Sequence, residues 1–171
     1  MTSYGMQTGG CKMQVGREPR VTAILMSFYK EQGWVLFEEF AIPGTILNLG
    51  TAAGVPRKRL RPDIMGLMGG VILAIEVENA PFLHHATSYL HISNYCYLAY
   101  PADSEKTLTP ETLEDQLRYA QKNGIGVLQV WVDPTQQSQV VEVLPAMHHE
   151  LPPEVKARLV GLMWNRYKRK H

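Results

Sequence analysis

Hydrophobic residues recur along the chain with two spacings, and each spacing predicts a different kind of element. A return every three or four positions predicts an amphipathic helix, whereas alternation or a short continuous run predicts a strand. The helical spacing covers roughly residues 19–32, from Pro19 to the helix-ending Gly33, and it returns between the N-cap candidate Thr109 and Gly124. A last helix is predicted to begin at Pro153.

Short apolar runs between these helices predict strands. Two runs, Pro62 to Leu67 and Val71 to Glu78, are joined by Met-Gly-Gly, which favours a hairpin because glycine accepts positive φ. In the second run the alternation places Glu76 and Glu78 on one face, at one end of the strand. Further strands are predicted over residues 34–42, 94–101, 125–132 and 139–144, with a loop between residues 43 and 56.

Another helix is expected to begin at Pro81, with Leu83, Ala86 and Leu90 on its inner side. The predicted order is therefore α-β-β-β-α-β-α-β-β-α, which is typical of an α/β protein. With 171 residues, we expect a single domain over residues 17–171, preceded by a mobile arm over residues 1–16.

Composition and charge narrow the classes of function. The formal net charge is +1, so a nucleic-acid partner would have to be held by local basic patches. Two cysteines, Cys11 and Cys96, are too few for a disulfide framework and do not form a zinc-binding pattern, which favours a cytoplasmic protein. We find no signal-peptide pattern and no apolar run long enough to span a membrane, so neither secretion nor membrane insertion is expected.

Three acids, Asp63, Glu76 and Glu78, fall within the two apolar runs of the predicted hairpin. Two carboxylates about 5 Å apart repel each other by roughly 3 kcal/mol at an effective dielectric constant of about 20. Such a cluster persists if the acids are protonated, if cationic side chains approach them, or if they bind a metal ion. Because carboxylate oxygens are hard ligands, the metal expected here is Mg²⁺, with Mn²⁺ as a substitute.

The same residues resemble the signature of the PD-(D/E)xK nuclease superfamily. Pro62 and Asp63 match its PD, Glu76 matches its (D/E), and Glu78 stands where the family usually has lysine. The predicted α-β-β-β-α-β order over residues 19–100 also resembles the conserved core of that family. The resemblance implies a restriction-endonuclease-like fold, in which helices flank a mixed β-sheet.

The resemblance also implies a reaction, the metal-dependent hydrolysis of phosphodiester bonds in DNA, as in restriction, repair, recombination or mobile-element proteins. Asp63, Glu76 and the carbonyl of Val77 would hold Mg²⁺, which polarises the scissile phosphate and activates water. Glu78 would act as a base that orients the attacking water or as an additional metal ligand, and Asn79 would contact a phosphate. Cleavage of both strands would need a homodimer or a larger nucleoprotein assembly.

Glu78 in place of lysine leaves a second interpretation open, a non-catalytic DNA-binding or assembly subunit with a degenerate nuclease fold. Members of this superfamily often add a glutamate from the first helix or nearby. Glu39 is our first choice for that role, with Glu18 and Glu38 as alternatives. For all three acids an ordinary surface role is the competing interpretation, at a helix N-terminus for Glu18 and on a solvated strand for the others.

Basic residues lie immediately before the predicted metal ligand Asp63. They are candidates for contacts with DNA phosphates, although a solvated loop would have the same composition. These residues are Arg57, Lys58, Arg59 and Arg61. A second basic group, residues 166–170, complements the dipole of the last helix, and this is the favoured interpretation of it. His84, His85 and Tyr89 follow the acidic strand and could assist the site, but structural roles are favoured for them.

Overall fold

One mixed β-sheet organises the protein. The computed structural model describes residues 17–47, 60–133 and 138–170, and within these ranges six strands form a sheet in the order β1-β2-β3-β4-β5-β6. β1 to β3 are antiparallel to one another, β4 and β5 are parallel to β3, and β6 is antiparallel to β5. The strands are β1 Val35–Glu38, β2 Ile64–Met68, β3 Val71–Val77, β4 Tyr95–Pro101, β5 Gly126–Trp131 and β6 Gln139–Leu144.

Helices cover both faces of the sheet. On one face α1 packs its buried Val21 and Leu25 among apolar side chains that include Leu73 and Ile75 of β3. On the other face α4 belongs to a larger apolar cluster that includes Ile72 of β3. The mixed α/β architecture is therefore as predicted, and no helix in the described ranges is long and apolar enough to cross a membrane. The helices are α1 Arg17–Glu31, α2 Gly44–Leu47, α3 Pro110–Asn123 and α4 Pro153–Lys170, with 3₁₀ helices at Ala86–Tyr89 and Ala102–Thr107.

The predicted helix from Pro81 is wrong, because this segment contains a 3₁₀ helix of four residues, Ala86–Tyr89. The backbone N–H of Leu83 donates to the side chain of Gln116 at 3.3 Å, a contact that ties this segment to α3. Leu83 and Ala86 are nevertheless buried as expected. The pattern identified the inner side correctly because a 3₁₀ turn also brings residues three apart onto one side.

The strand predicted over residues 34–42 is shorter in the structure, where β1 ends at Glu38. Glu39 adopts a left-handed conformation with φ 46°, and the regular ladder ends there. Glu39, Phe40 and Ile42 still donate backbone hydrogen bonds to the carbonyls of Asp63, Pro62 and Leu60. The loop predicted after residue 42 contains the short helix α2. The arm expected over residues 1–16 lies outside the described residues.

The predicted glycine hairpin is present. Gly69 and Gly70 have φ values of 56° and 78°, and Met68 pairs with Val71 across them. This two-residue turn fixes the register of β2 against β3. Since Ile64 lies opposite Ile75, one further step along both strands brings residue 63 opposite residue 76.

We expect replacement of Gly126 by alanine to destabilise the fold by about 2 kcal/mol, within the range typical of overpacking. An added Cβ would lie 2.2 Å from Cε1 of Tyr97 and 2.7 Å from the backbone nitrogen of Ala146. The matched control is Gly161→Ala in α4, where a Cβ meets nothing within 4 Å. That change should stabilise the helix by roughly 0.5–1 kcal/mol. Urea unfolding of both variants measures the difference, and equal stability would contradict the close packing over Gly126.

Candidate metal centre

Acidic side chains from three strands meet at one edge of the sheet. β1 and β3 are both antiparallel to β2, so their carboxyl ends lie beside the amino end of β2. Four acids reach the same edge through this topology: Glu38 at the end of β1, Glu39 directly after it, Asp63 before β2, and Glu76 at the end of β3. The first turn of α1 contributes Glu18 there, as its contact with Asn79 shows.

Glu76 is the most buried of these acids, with 8% of its surface exposed. Its Oε2 atom is buried and lacks a hydrogen-bond partner among the described residues. Burial and the negative charge of Asp63 together raise the pKa of Glu76 to about 7. The neighbouring Tyr89 and His85 oppose this rise in pKa. A carboxylate with one buried, unpartnered oxygen is thus held close to a second acid.

Asp63 is anchored to the end of β3 by the backbone. Its Oδ2 atom accepts a hydrogen bond of 2.7 Å from the N–H of Val77. Burial raises the pKa of Asp63, and the hydrogen bond from Val77 acts in the opposite direction. The structure thus brings Asp63 and Glu76 together as predicted. Val77 takes part through its N–H, whereas metal binding by its carbonyl stays a prediction.

Glu78 and His85 complete a compact group of ligand atoms with Glu76. Nδ1 of His85 lies 2.9 Å from Oε1 of Glu78 and 3.3 Å from Oε1 of Glu76. One ligand atom from each of the three residues lies within 4.8 Å of the others. Burial raises the pKa of Glu78, and the neighbouring His85 opposes this rise.

The contact of His85 with Glu76 and Glu78 was not predicted, because a structural role was favoured for this residue. His85 lies in the connection between the parallel strands β3 and β4, which must leave β3 at the same edge where Glu76 and Glu78 lie. The position of His85 in the connection after the acidic strand is the feature of the sequence from which this contact could have been predicted. Tyr89 was likewise expected in a structural role, and its hydroxyl donates to the carbonyl of Arg61 at 3.3 Å.

All three candidates for a further glutamate lie beside Asp63. Asn79, predicted to contact a phosphate, donates a hydrogen bond from its amide to Glu18. Glu39 is exposed and has its Oε2 atom 3.9 Å from Nη1 of Arg61. The choice of Glu39 stays a prediction, because Glu18, Glu38 and Glu39 all line one small cleft of about 140 Å³. It is lined by Glu18, Pro19, Thr22, Glu38, Glu39, Asp63 and Val77.

Cationic groups lie at the rim of the site. Arg61 is the described member of the predicted phosphate-binding group, and its side chain is largely exposed. Arg57, Lys58 and Arg59 lie outside the described residues, so their DNA contacts stay predictions. Arg166 of α4, assigned from the sequence to the helix dipole, donates to the carbonyl of Glu38 at 3.0 Å.

The donor set fits a divalent cation. Three carboxylates, one of them with an orphaned buried oxygen, supply the hard oxygen ligands that Mg²⁺ and Mn²⁺ prefer. His85 adds an imidazole nitrogen, a ligand more typical of transition metals than of Mg²⁺. Mn²⁺ is therefore the more informative probe of this site.

The protein shares its fold with a protein of known structure. No protein-family model and no curated protein matches the chain. It is similar to the solved structure of SPO1766, a protein of unknown function from Silicibacter pomeroyi, with a TM-score of 0.59 and 20% sequence identity. The similarity covers 92% of this chain and 90% of that chain. At this identity the likeness shows the fold, and neither a restriction-endonuclease-like assignment nor an activity follows from it.

Proposed function

We propose that this protein is a metal-dependent endonuclease that hydrolyses phosphodiester bonds in DNA. The observation that carries the proposal is the buried, unpartnered oxygen of Glu76 beside Asp63. A protein selected for stability would gain by removing such a charge, whereas a metal site requires it. The order and pairing of β1 to β4, together with the PD and ExE residues, support the same proposal.

Asp63, Glu76 and the Val77 carbonyl are the residues that would hold the cation. A bound Mg²⁺ or Mn²⁺ polarises a phosphate and lowers the pKa of water. Glu78 accepts the proton of the attacking water, and His85, 2.9 Å away, orients the Glu78 carboxylate. Arg61 contributes positive charge near the DNA backbone at the rim of the site.

One observation favours the second candidate, a non-catalytic DNA-binding or assembly subunit. His85 approaches both Glu76 and Glu78, and when protonated it balances part of their charge without a metal. Calorimetric titration with Mn²⁺ separates the two functions. A metalloenzyme should bind Mn²⁺ in a manner that depends on Glu76, while an inert scaffold should give no such binding.

We expect Asp63→Ala to abolish the nicking of supercoiled plasmid by the purified protein with Mg²⁺ or Mn²⁺, a loss of about a hundred-fold or more. The loss follows because Asp63 is the acid that the backbone of Val77 holds beside Glu76. Glu114→Ala is the matched control, since Glu114 is an exposed acid of α3 that pairs with Arg118. Undiminished nicking by Asp63→Ala protein would refute the proposed site, and thermal melting checks that both variants are folded.

A further inference from the structure

A second cleft lies at the same edge of the sheet as the acids. It has a volume of about 270 Å³ and is lined by Arg20, Pro101, Ala102, Asp103, Trp131 and Val132. β3, β4 and β5 are parallel, so the end of β5 lies two strands from the end of β3. Two strand spacings correspond to about 10 Å. Ligands of open α/β sheets commonly bind at the carboxyl ends of parallel strands.

Trp131 presents an exposed indole at this edge, with 52% of its surface accessible. A chain of hydrogen bonds holds the ring: its Nε1 donates to Gln129 at 3.1 Å, and the Gln129 amide donates to Glu105 at 2.8 Å. The hydroxyl of the buried Tyr100 donates to the same Glu105 oxygen at 2.6 Å. An aromatic surface anchored to the core in this way is suited to stacking against a flat ligand.

Arg20 brings a guanidinium to the cleft. It is exposed and lies near the start of α1, two residues after Glu18 of the acidic cluster. The acid of the same cleft, Asp103, has an interaction of its own. A guanidinium presents several N–H donors in a planar fork, a geometry well suited to binding a phosphate.

We propose that Trp131 and Arg20 form a nucleotide subsite, with an unpaired base stacked on the indole and a phosphate bound to the guanidinium. The inference rests on the proposed function, which supplies DNA as the ligand. The subsite lies about two strand spacings, or roughly 10 Å, from the metal centre, so both could contact one DNA strand. In a continuous duplex each base is already stacked between its neighbours. The subsite therefore selects single-stranded or branched DNA over continuous duplex.

The test measures binding of a fluorescent single-stranded oligodeoxythymidine by anisotropy in EDTA. The full chain carries Glu76→Gln, which prevents cleavage and removes one negative charge next to the phosphates. Trp131→Ala should weaken binding by about 10-fold or more, since stacking of one base contributes on this scale, while Trp131→Phe should retain most of the affinity. Arg20→Ala should also weaken binding and reduce its dependence on salt.

Trp164→Ala is the matched control, because Trp164 is an indole of similar exposure in α4. The same helix contacts β1 through Arg166, four strands from β5, which corresponds to about 19 Å. Equal affinity of the Glu76→Gln protein with and without Trp131→Ala for the oligonucleotide, or no binding by either, would overturn the subsite. Binding that depends on Trp131, in a protein that nicks no plasmid with Mg²⁺ or Mn²⁺ when Glu76 is intact, would instead retain the subsite and refute the endonuclease.

Discussion

Replacing Glu76 with glutamine is expected to lower metal-supported DNA cleavage by about a thousand-fold and also to raise the melting temperature of the metal-free protein. The loss of activity follows because a neutral amide is a poor ligand for Mg²⁺, and the metal supplies several kcal/mol of transition-state stabilisation, on the order of a thousand-fold in rate. The gain in stability follows because the buried Oε2 atom of Glu76 has no hydrogen-bond partner among the described residues.

The expected size of the stability gain follows from the raised pKa of Glu76. Burial and the charge of Asp63 raise it from 4.5 to about 7. At pH 8 such a rise corresponds to about 3 kcal/mol of destabilisation by the ionised group, at 1.36 kcal/mol for each unit. Differential scanning fluorimetry in EDTA and plasmid nicking with Mg²⁺ measure the two effects on the same preparations.

The control is Glu114→Gln, which changes an exposed acid of α3 to the same neutral side chain. We expect it to alter neither property. A Glu76→Gln protein that is less stable than wild type at pH 8 would mean that the carboxylate has a stabilising structural partner. A variant that retains full nicking activity would exclude Glu76 as a metal ligand.

The second large effect concerns pH. Glu76 titrates near 4.5 in the unfolded chain and at about 7 in the folded one. Between these values the folded protein holds a proton that the unfolded chain has released, so stability decreases as the pH rises through this window. The stability that the protonated acid provides is therefore present in full below about pH 4.5 and is lost above about pH 7.

The measurement compares melting temperatures of wild-type and Glu76→Gln protein in EDTA between pH 5 and pH 8. The difference between the two proteins reports on Glu76 and on its contact with Asp63, because acids outside the cluster titrate in both. It should widen with rising pH, and Mn²⁺ should reverse it in the wild type by binding the ionised carboxylate. A difference that stays constant across this range would show that Glu76 is ionised throughout. Mn²⁺ affinity should rise with pH through about 7, since a proton and the metal compete for Glu76.

The sequence predicted the parts of the fold that depend on local chemistry. Thr109 caps α3 by accepting a hydrogen bond from the N–H of Thr112, and Gly124 ends that helix with φ 68°. Both follow from residue types that satisfy free backbone groups at helix ends. Alternation in β3 likewise placed Glu76 and Glu78 on one face, and their shared contact with His85 confirms it.

Features that depend on distant parts of the chain could not be predicted in the same way. The segment after Pro81 has helical spacing, yet it forms the short 3₁₀ helix Ala86–Tyr89 and is hydrogen-bonded through Leu83 to Gln116 of α3. The spacing does not reveal that partner. Glu39 adopts a conformation rare for residues other than glycine, and its N–H donates to the carbonyl of Asp63. The acidic chemistry of the site could be predicted from Asp63, Glu76 and Glu78. The contact of His85 could be predicted by also considering at which end of the sheet the chain leaves β3.

The turn formed by Gly69 and Gly70 has a consequence at the opposite end of the hairpin. Five paired residues separate this turn from Asp63 and Glu76, and side chains alternate at every step. A slip of one residue in the register that this turn sets would move one of the two acids to the reverse side of the sheet, although neither acid had changed. Two glycines without a side chain of their own thus govern whether the acids can face each other.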